Sequence, residues 1–122
     1  MDKKTRDHDA MMQGLNWWGI PTLFRRPYNT DTKGCDIALV GVPHSTGNGT
    51  TERDQHLGPR AVRNISALGR RAHLKFGLVP WDICDIRDLG DVPLPEANNN
   101  EKCIEHITDF YTRIAETKTR PL

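Results

Sequence analysis

The sequence has few cysteines, no long apolar run and no excess of either charge. Three cysteines, Cys35, Cys84 and Cys103, lack any C-x-x-C spacing. So sparse and odd a set excludes a disulfide scaffold and points to a reducing compartment. No apolar stretch approaches ~20 residues, so no membrane span is expected. The N-terminus, MDKKTRDHDAMM, is charged and has no apolar segment of a secretory signal, so a cytoplasmic protein is expected. Charged residues make up 27% with a net charge of +1, a balance that gives no reason to expect nucleic acid or an anionic membrane as partner. Hydrophobic residues reach only 36% in a chain of 122 residues, with ten glycines and eight prolines. A domain of this size with so small an apolar share is marginal as a folding unit on its own.

What is present falls into order along the chain. Residues 1–35 form an N-terminal arm, polar at first and then aromatic. In NWWGIPTLFRRPYNTD the spacing of Gly19, Pro21 and Pro27 forbids a regular helix and predicts an extended or irregular path. Trp17, Trp18, Phe24 and Tyr28 on this arm either pack on their own domain or anchor a neighbouring subunit. Residues 36–122 hold the α/β pattern. DIALVGV, residues 36–42, is a continuous apolar run that reads as a buried parallel strand. A helix is expected to start at Gly58-Pro59. Its apolar face is assigned to Ala61, Val62, Ile65, Leu68 and Ala72, with Arg60, Arg63, Arg70 and Arg71 pointing away. A second strand is expected around residues 83–87, turning at Gly90. The last helix carries a stripe of Cys103, Ile104, Ile107, Phe110, Tyr111 and Ile114, and Asn98 with Glu101 has capping-box spacing. Arg120-Pro121-Leu122 reads as the start of a third strand. Alternating strands and helices predict a parallel α/β sheet, of which this chain supplies a part.

The segment between the first strand and its helix, GVPHSTGNGTTERDQHLGPRAVR, holds most of the polar chemistry. It lies where phosphate loops lie, but neither G-x-G-x-x-G nor G-K-S/T is present, and residues 43–57 are far too many for either. His44 and His56 flank Glu52 and Asp54, yet no short His spacing fixes them on a rigid element as a metal site needs. Asp82, Asp85, Asp88 and Asp91 recur every three residues. On a strand that period sends alternate carboxylates to opposite faces, so convergence is not expected, and Arg87 is expected to pair with one of them. Cys103 reads as a core cysteine despite His106 nearby. The chain offers a loop at the C-terminal edge of a sheet, where such folds bind ligands, and no reactive group to go with it.

Taken in order, WWGIPTLFRRPY, DIALVGVP, the loop ending LGPRAVR, DLGDV and the capped helix leading to RPL resemble the N-terminal third of the ureohydrolases. This is the arginase and agmatinase superfamily, and the agmatinase-like branch fits best. The resemblance runs from about residue 14 to 122. It implies an incomplete three-layer α/β/α arginase-like fold from an enzyme of trimers or hexamers. Such enzymes hydrolyse a small guanidino substrate to urea and an amine at a dinuclear Mn(II) centre. The family's ligand motifs, G-G-D-H, D-A-H-x-D and D-x-D, are absent from this sequence, so no catalytic or metal residue is transferred. His44, Asn48, Glu52 and Arg53 are the candidate pocket-rim residues. The loop STGNGTTERDQHLGPR differs from the G-T-S-x-R-P-G-A-R usual in agmatinases, which leaves agmatine, guanidinobutyrate or a similar compound open as substrate. The expectation is a fragment that is inactive alone. The alternative is a short non-catalytic interaction module that associates with itself or with a full-length ureohydrolase.

Overall fold

The computed structural model describes residues 19–47, 54–68 and 72–122. Three parallel strands, β1 (Ile37–Gly41), β2 (Ile86–Asp91) and β3 (Arg120–Pro121), form a sheet in the order β2-β1-β3. Helix α1 (Gly58–Ser66) and the short α2 (Pro80–Ile83) lie between β1 and β2; α3 (Asn100–Ala115) joins β2 to β3. The apolar run and the Arg120-Pro121 strand thus form as the sequence predicts. Parallel strands need long crossovers, and the helices supply them.

Helix α3 covers one face of the sheet. Cys35, Ala38, Leu89 and Ile114 make the buried core there, with Val40 and Phe110 packed against it. Cys103 is fully buried at the start of the same stripe, whereas Ile104, assigned to that stripe, is exposed. It lies one position round the helix from the buried seam. The cap also shifts by one residue: Asn99, not Asn98, accepts the Lys102 N–H through its side chain, at 3.1 Å. Behind α3, the buried Thr119 hydroxyl donates to the Cys35 carbonyl at 2.8 Å, tying the approach to β3 into the root of β1.

The second strand begins later than predicted and contains the expected turn residue. Residues 80–83 form α2, where Pro80 suits a first helical turn. Gly90, predicted as a turn, sits inside β2 with φ +82°. Leu39 pairs with Asp88 and Gly41 with Asp91, so three steps on β2 match two on β1. That extra residue is a β-bulge, made possible by the glycine in a conformation other residues avoid.

Helix α1 starts at Gly58-Pro59 as expected but faces the opposite way. Arg63, assigned to solvent, turns inward onto β2. Val62, Ile65 and Leu68, assigned to the core, are 51%, 70% and 61% exposed. Leu68 and Ala72 also lie beyond the helix, which ends at Ser66. A guanidinium bound to two carboxylates fixes this helix, and its aliphatic stripe follows outward. The rest of this second sheet face, Ile37, Leu39 and Ile86, opens into an apolar cavity of about 390 Å³ with Phe24, Trp81 and Leu122.

The described part of the arm joins the edge of β2 through its backbone, while the Phe24 and Tyr28 side chains stay 46% and 65% exposed. Tyr28 bridges to Asp88, Asp88 N–H donates to the Pro27 carbonyl, and Asn29 N–H donates to the Asp88 carbonyl. Arg26 is buried with its guanidinium 4.5 Å above the Trp81 ring. Trp17 and Trp18 lie outside the described residues. No described helix is long and apolar enough to cross a membrane.

Candidate functional site

The polar loop leaves β1 at Gly41 and re-enters the fold at Gly58, on the C-terminal edge of the sheet. Ligands of open α/β sheets bind at that edge. Of the four candidate rim residues, His44 alone is described; Asn48, Glu52 and Arg53 lie outside the described residues. His44 follows a tight turn, its N–H donating to the Val42 carbonyl at 2.9 Å. Its ring is half-buried, and Nδ1 is shielded from solvent without a hydrogen-bond partner among the described residues. Ser45 Oγ and His56 Nδ1 are 3.3 Å apart, so the two ends of the loop touch. Next, the Thr46 hydroxyl donates to the Ala97 carbonyl, and Gly47 lies against the Asn100 side chain at the start of α3.

Below the loop sits an ion cluster. Asp88 accepts from Arg63 Nε at 2.8 Å and Nη2 at 3.0 Å, and from the backbone N–H groups of Leu23 and Gly90, each at 2.8 Å. Asp91 accepts from Arg63 Nη1 at 2.6 Å. The expectation that these aspartates cannot converge is therefore overturned. The bulge at Gly90 resets the alternation, so residues three apart share a face. Burial pushes the Asp88 carboxyl up, but its hydrogen bonds from Arg63, Leu23 and Gly90 outweigh that and hold it below the usual carboxylate range. Arg63 is held more basic than usual, chiefly by its hydrogen bonds to Asp88. As predicted, Arg87 pairs with an aspartate of the series, donating to Asp85 at 2.8 Å.

This arrangement binds and orders but does not react. The strong hydrogen bonds shown for the cluster are internal, and Arg63 binds both carboxylates that converge. Burial pushes the Cys35 thiol up, so it stays protonated and unreactive at neutral pH. A dinuclear metal centre, which the resemblance implies, has no donor set here: no group of three or more His, Cys, Asp or Glu side chains could hold an ion among the described residues. A second cavity, about 440 Å³, lies on the α3 side between Thr30, Leu89, Pro93, His106 and Phe110. Neither cavity is lined by His44.

The fold is that of a parallel α/β sheet with helices on both faces, bearing a long loop at its C-terminal edge. The match to known proteins is specific. The arginase family model matches residues 35–122, and the chain belongs to that family. It is 36% identical to guanidinopropionase of Pseudomonas aeruginosa over 104 residues, covering 85% of this chain and 32% of the relative. It is 32% identical to mitochondrial agmatinase of Gallus gallus over 104 residues, covering 85% of this chain and 30% of the relative. The crystal structure of a hypothetical agmatinase from Burkholderia thailandensis superposes with a TM-score of 0.69 and 28% identity, covering 87% of this chain and 33% of that one. The chain thus spans about a third of the length of the relatives it matches.

Proposed function

We propose that this chain is the N-terminal portion of an agmatinase-like ureohydrolase and supplies the substrate rim of its pocket. The reaction is hydrolysis of a guanidino C–N bond to urea and an amine at a dinuclear manganese centre, with the metal ligands provided by other residues. The observation that carries this reading is the arginase-family match over residues 35–122, joined to relatives named for guanidinopropionate and agmatine. Substrates that share a guanidino head and differ in the tail call for a rim that reads the tail. The loop at residues 42–57, with His44, Asn48, Glu52 and Arg53, fits that role. The working enzyme is a homo-oligomer, and its free cysteines suit the cytoplasm. The isolated 122-residue chain is inactive on this reading.

The test is a chimera in which this chain replaces the matched N-terminal third of the Pseudomonas aeruginosa guanidinopropionase. It should release urea from a guanidino compound, with a preference among guanidinopropionate, guanidinobutyrate and agmatine that moves away from the parent's. The isolated chain should release none and bind no stoichiometric Mn(II). A folded, metal-loaded chimera inert toward all three compounds overturns the reading, as does urea release by the isolated chain. The exposed Val62, Ile65 and Leu68 favour a second reading, a non-catalytic module that docks on a partner. Saturable binding of the chain to intact guanidinopropionase, together with an inert chimera, would favour it.

A further inference from the structure

The cavity on the α3 side combines an apolar floor with hydrogen-bond donors that have no partner among the described residues. Its volume of about 440 Å³ is that of a small-molecule site. Leu89 and Ile114, both buried, form the floor with Phe110, and Pro93 stiffens one wall. His106, Phe110 and Arg113 succeed one another on α3 at steps of four and three, so the helix turns all three to one side. The arm contributes Thr30. No described carboxylate lines this cavity, and no described residue of the polar loop does.

The two cationic or donor side chains of α3 are brought toward each other. Arg113 Nε donates to the Asp109 carbonyl at 3.3 Å, which folds the guanidinium back along the helix in the direction of His106. Seven helical residues span a rise of about 10 Å, and this fold-back to the level of residue 109 shortens it to about 5 Å. The remaining guanidinium N–H groups have no partner among the described residues. His106 Nδ1 is shielded from solvent and also lacks one. A proton there would be a stranded donor, so the ring carries its proton on Nε2, the nitrogen left open to a ligand. Two donors about one turn apart suit the two oxygens of one carboxylate. An amine or guanidino head would face the Arg113 charge with no acidic group on the lining to offset it. We propose that this cavity binds a small carboxylate with an apolar body, its head held by Arg113 and His106 and its body laid on Leu89, Phe110 and Ile114. The inference does not rest on the ureohydrolase reading.

The experiment is an NMR titration of the 122-residue chain with phenylbutyrate, an aromatic body carrying one carboxylate. Saturable shifts should gather at Leu89, Phe110 and Ile114. Phenylbutanol, the same body without the charge, should bind about tenfold more weakly. Arg113→Gln should weaken phenylbutyrate about tenfold and change phenylbutanol by less than about twofold, because only the first ligand brings a charge to the guanidinium. His106→Gln should weaken phenylbutyrate about threefold. Arg113 is exposed, so the melting temperature of its variant should hold. No saturable shift by about 10 mM ligand overturns the site, and so do shifts centred on other residues. Equal binding of phenylbutyrate and phenylbutanol overturns the carboxylate assignment, leaving an apolar cavity alone. Phenylbutyrate binding that survives Arg113→Gln unchanged overturns it too. A variant that loses both ligands alike marks a collapsed cavity and overturns the part given to the arginine.

Discussion

Helices α1 and α3 are both amphipathic and flank the same sheet, yet they dock by opposite means. Helix α3 puts its apolar stripe on the sheet, and Ile114 closes a core of small and aliphatic groups with Ala38, Cys35 and Leu89. Helix α1 sets one guanidinium on two carboxylates and leaves Val62 and Ile65 exposed, as is Leu68 just past its end. An apolar stripe states which side of a helix needs cover, but not that the nearest sheet provides it. Where a buried carboxylate stands opposite, an arginine can take the inward position, because an unpaired charge there costs more than an exposed aliphatic group.

The sharpest way to break the contrast is to remove the charge at its centre. Asp88→Ala leaves Arg63 without its main partner and strands the N–H groups of Leu23 and Gly90; the expected loss is about 3–5 kcal/mol of unfolding free energy in a urea titration. The same residue sets a pH dependence. Its folded pKa lies below the ordinary aspartate value of about 3.9, so its stabilisation is complete above that value and lost as pH falls through the lower folded one. Stability measured against pH should fall on the acid side of pH 4, and in Asp88→Asn that part of the slope should vanish.

Next in size is a matched pair of truncations. Ile114→Ala should cost about 3 kcal/mol by opening a cavity under α3. Ile65→Ser on α1 should change stability by less than about 0.5 kcal/mol. Equal costs would mean that the α1 stripe is covered in solution, and a parallel change in sedimentation would identify self-association as the cover. The smallest effect tests the end of α3: Asn99→Ala should cost about 1 kcal/mol by removing the cap on Lys102 N–H, while Asn98→Ala should cost almost nothing.

The legible parts of the sequence were those written locally. An apolar run gave β1, Gly58-Pro59 gave the start of α1, and helical spacing gave α3. The position of the polar loop after β1 followed from the first two. The docking of α1 was not legible, because Arg63 and Asp88 are 25 residues apart and no local pattern marks two such residues as partners. The convergence of Asp88 and Asp91 was hidden by the assumption of strict alternation. A glycine within a strand pattern was the available warning, since it often marks a bulge. The cap slipped because three consecutive asparagines offer the same chemistry, and only the angle at which the chain enters the helix chooses among them.

The short strand β3 has a consequence for how this sheet can grow. Arg120 and Leu122 point their N–H groups at β1, donating to the carbonyls of Asp36 and Ala38. Alternation turns the backbone of Pro121 to the outer side, and proline has no N–H to offer there. The other margin of the sheet, at β2, is already occupied by Pro27 and Asn29. An incoming strand therefore meets, at Pro121, a position that accepts but cannot donate. A neighbour that pairs at that point must bring a donor to the Pro121 carbonyl and can take no N–H from Pro121 in return.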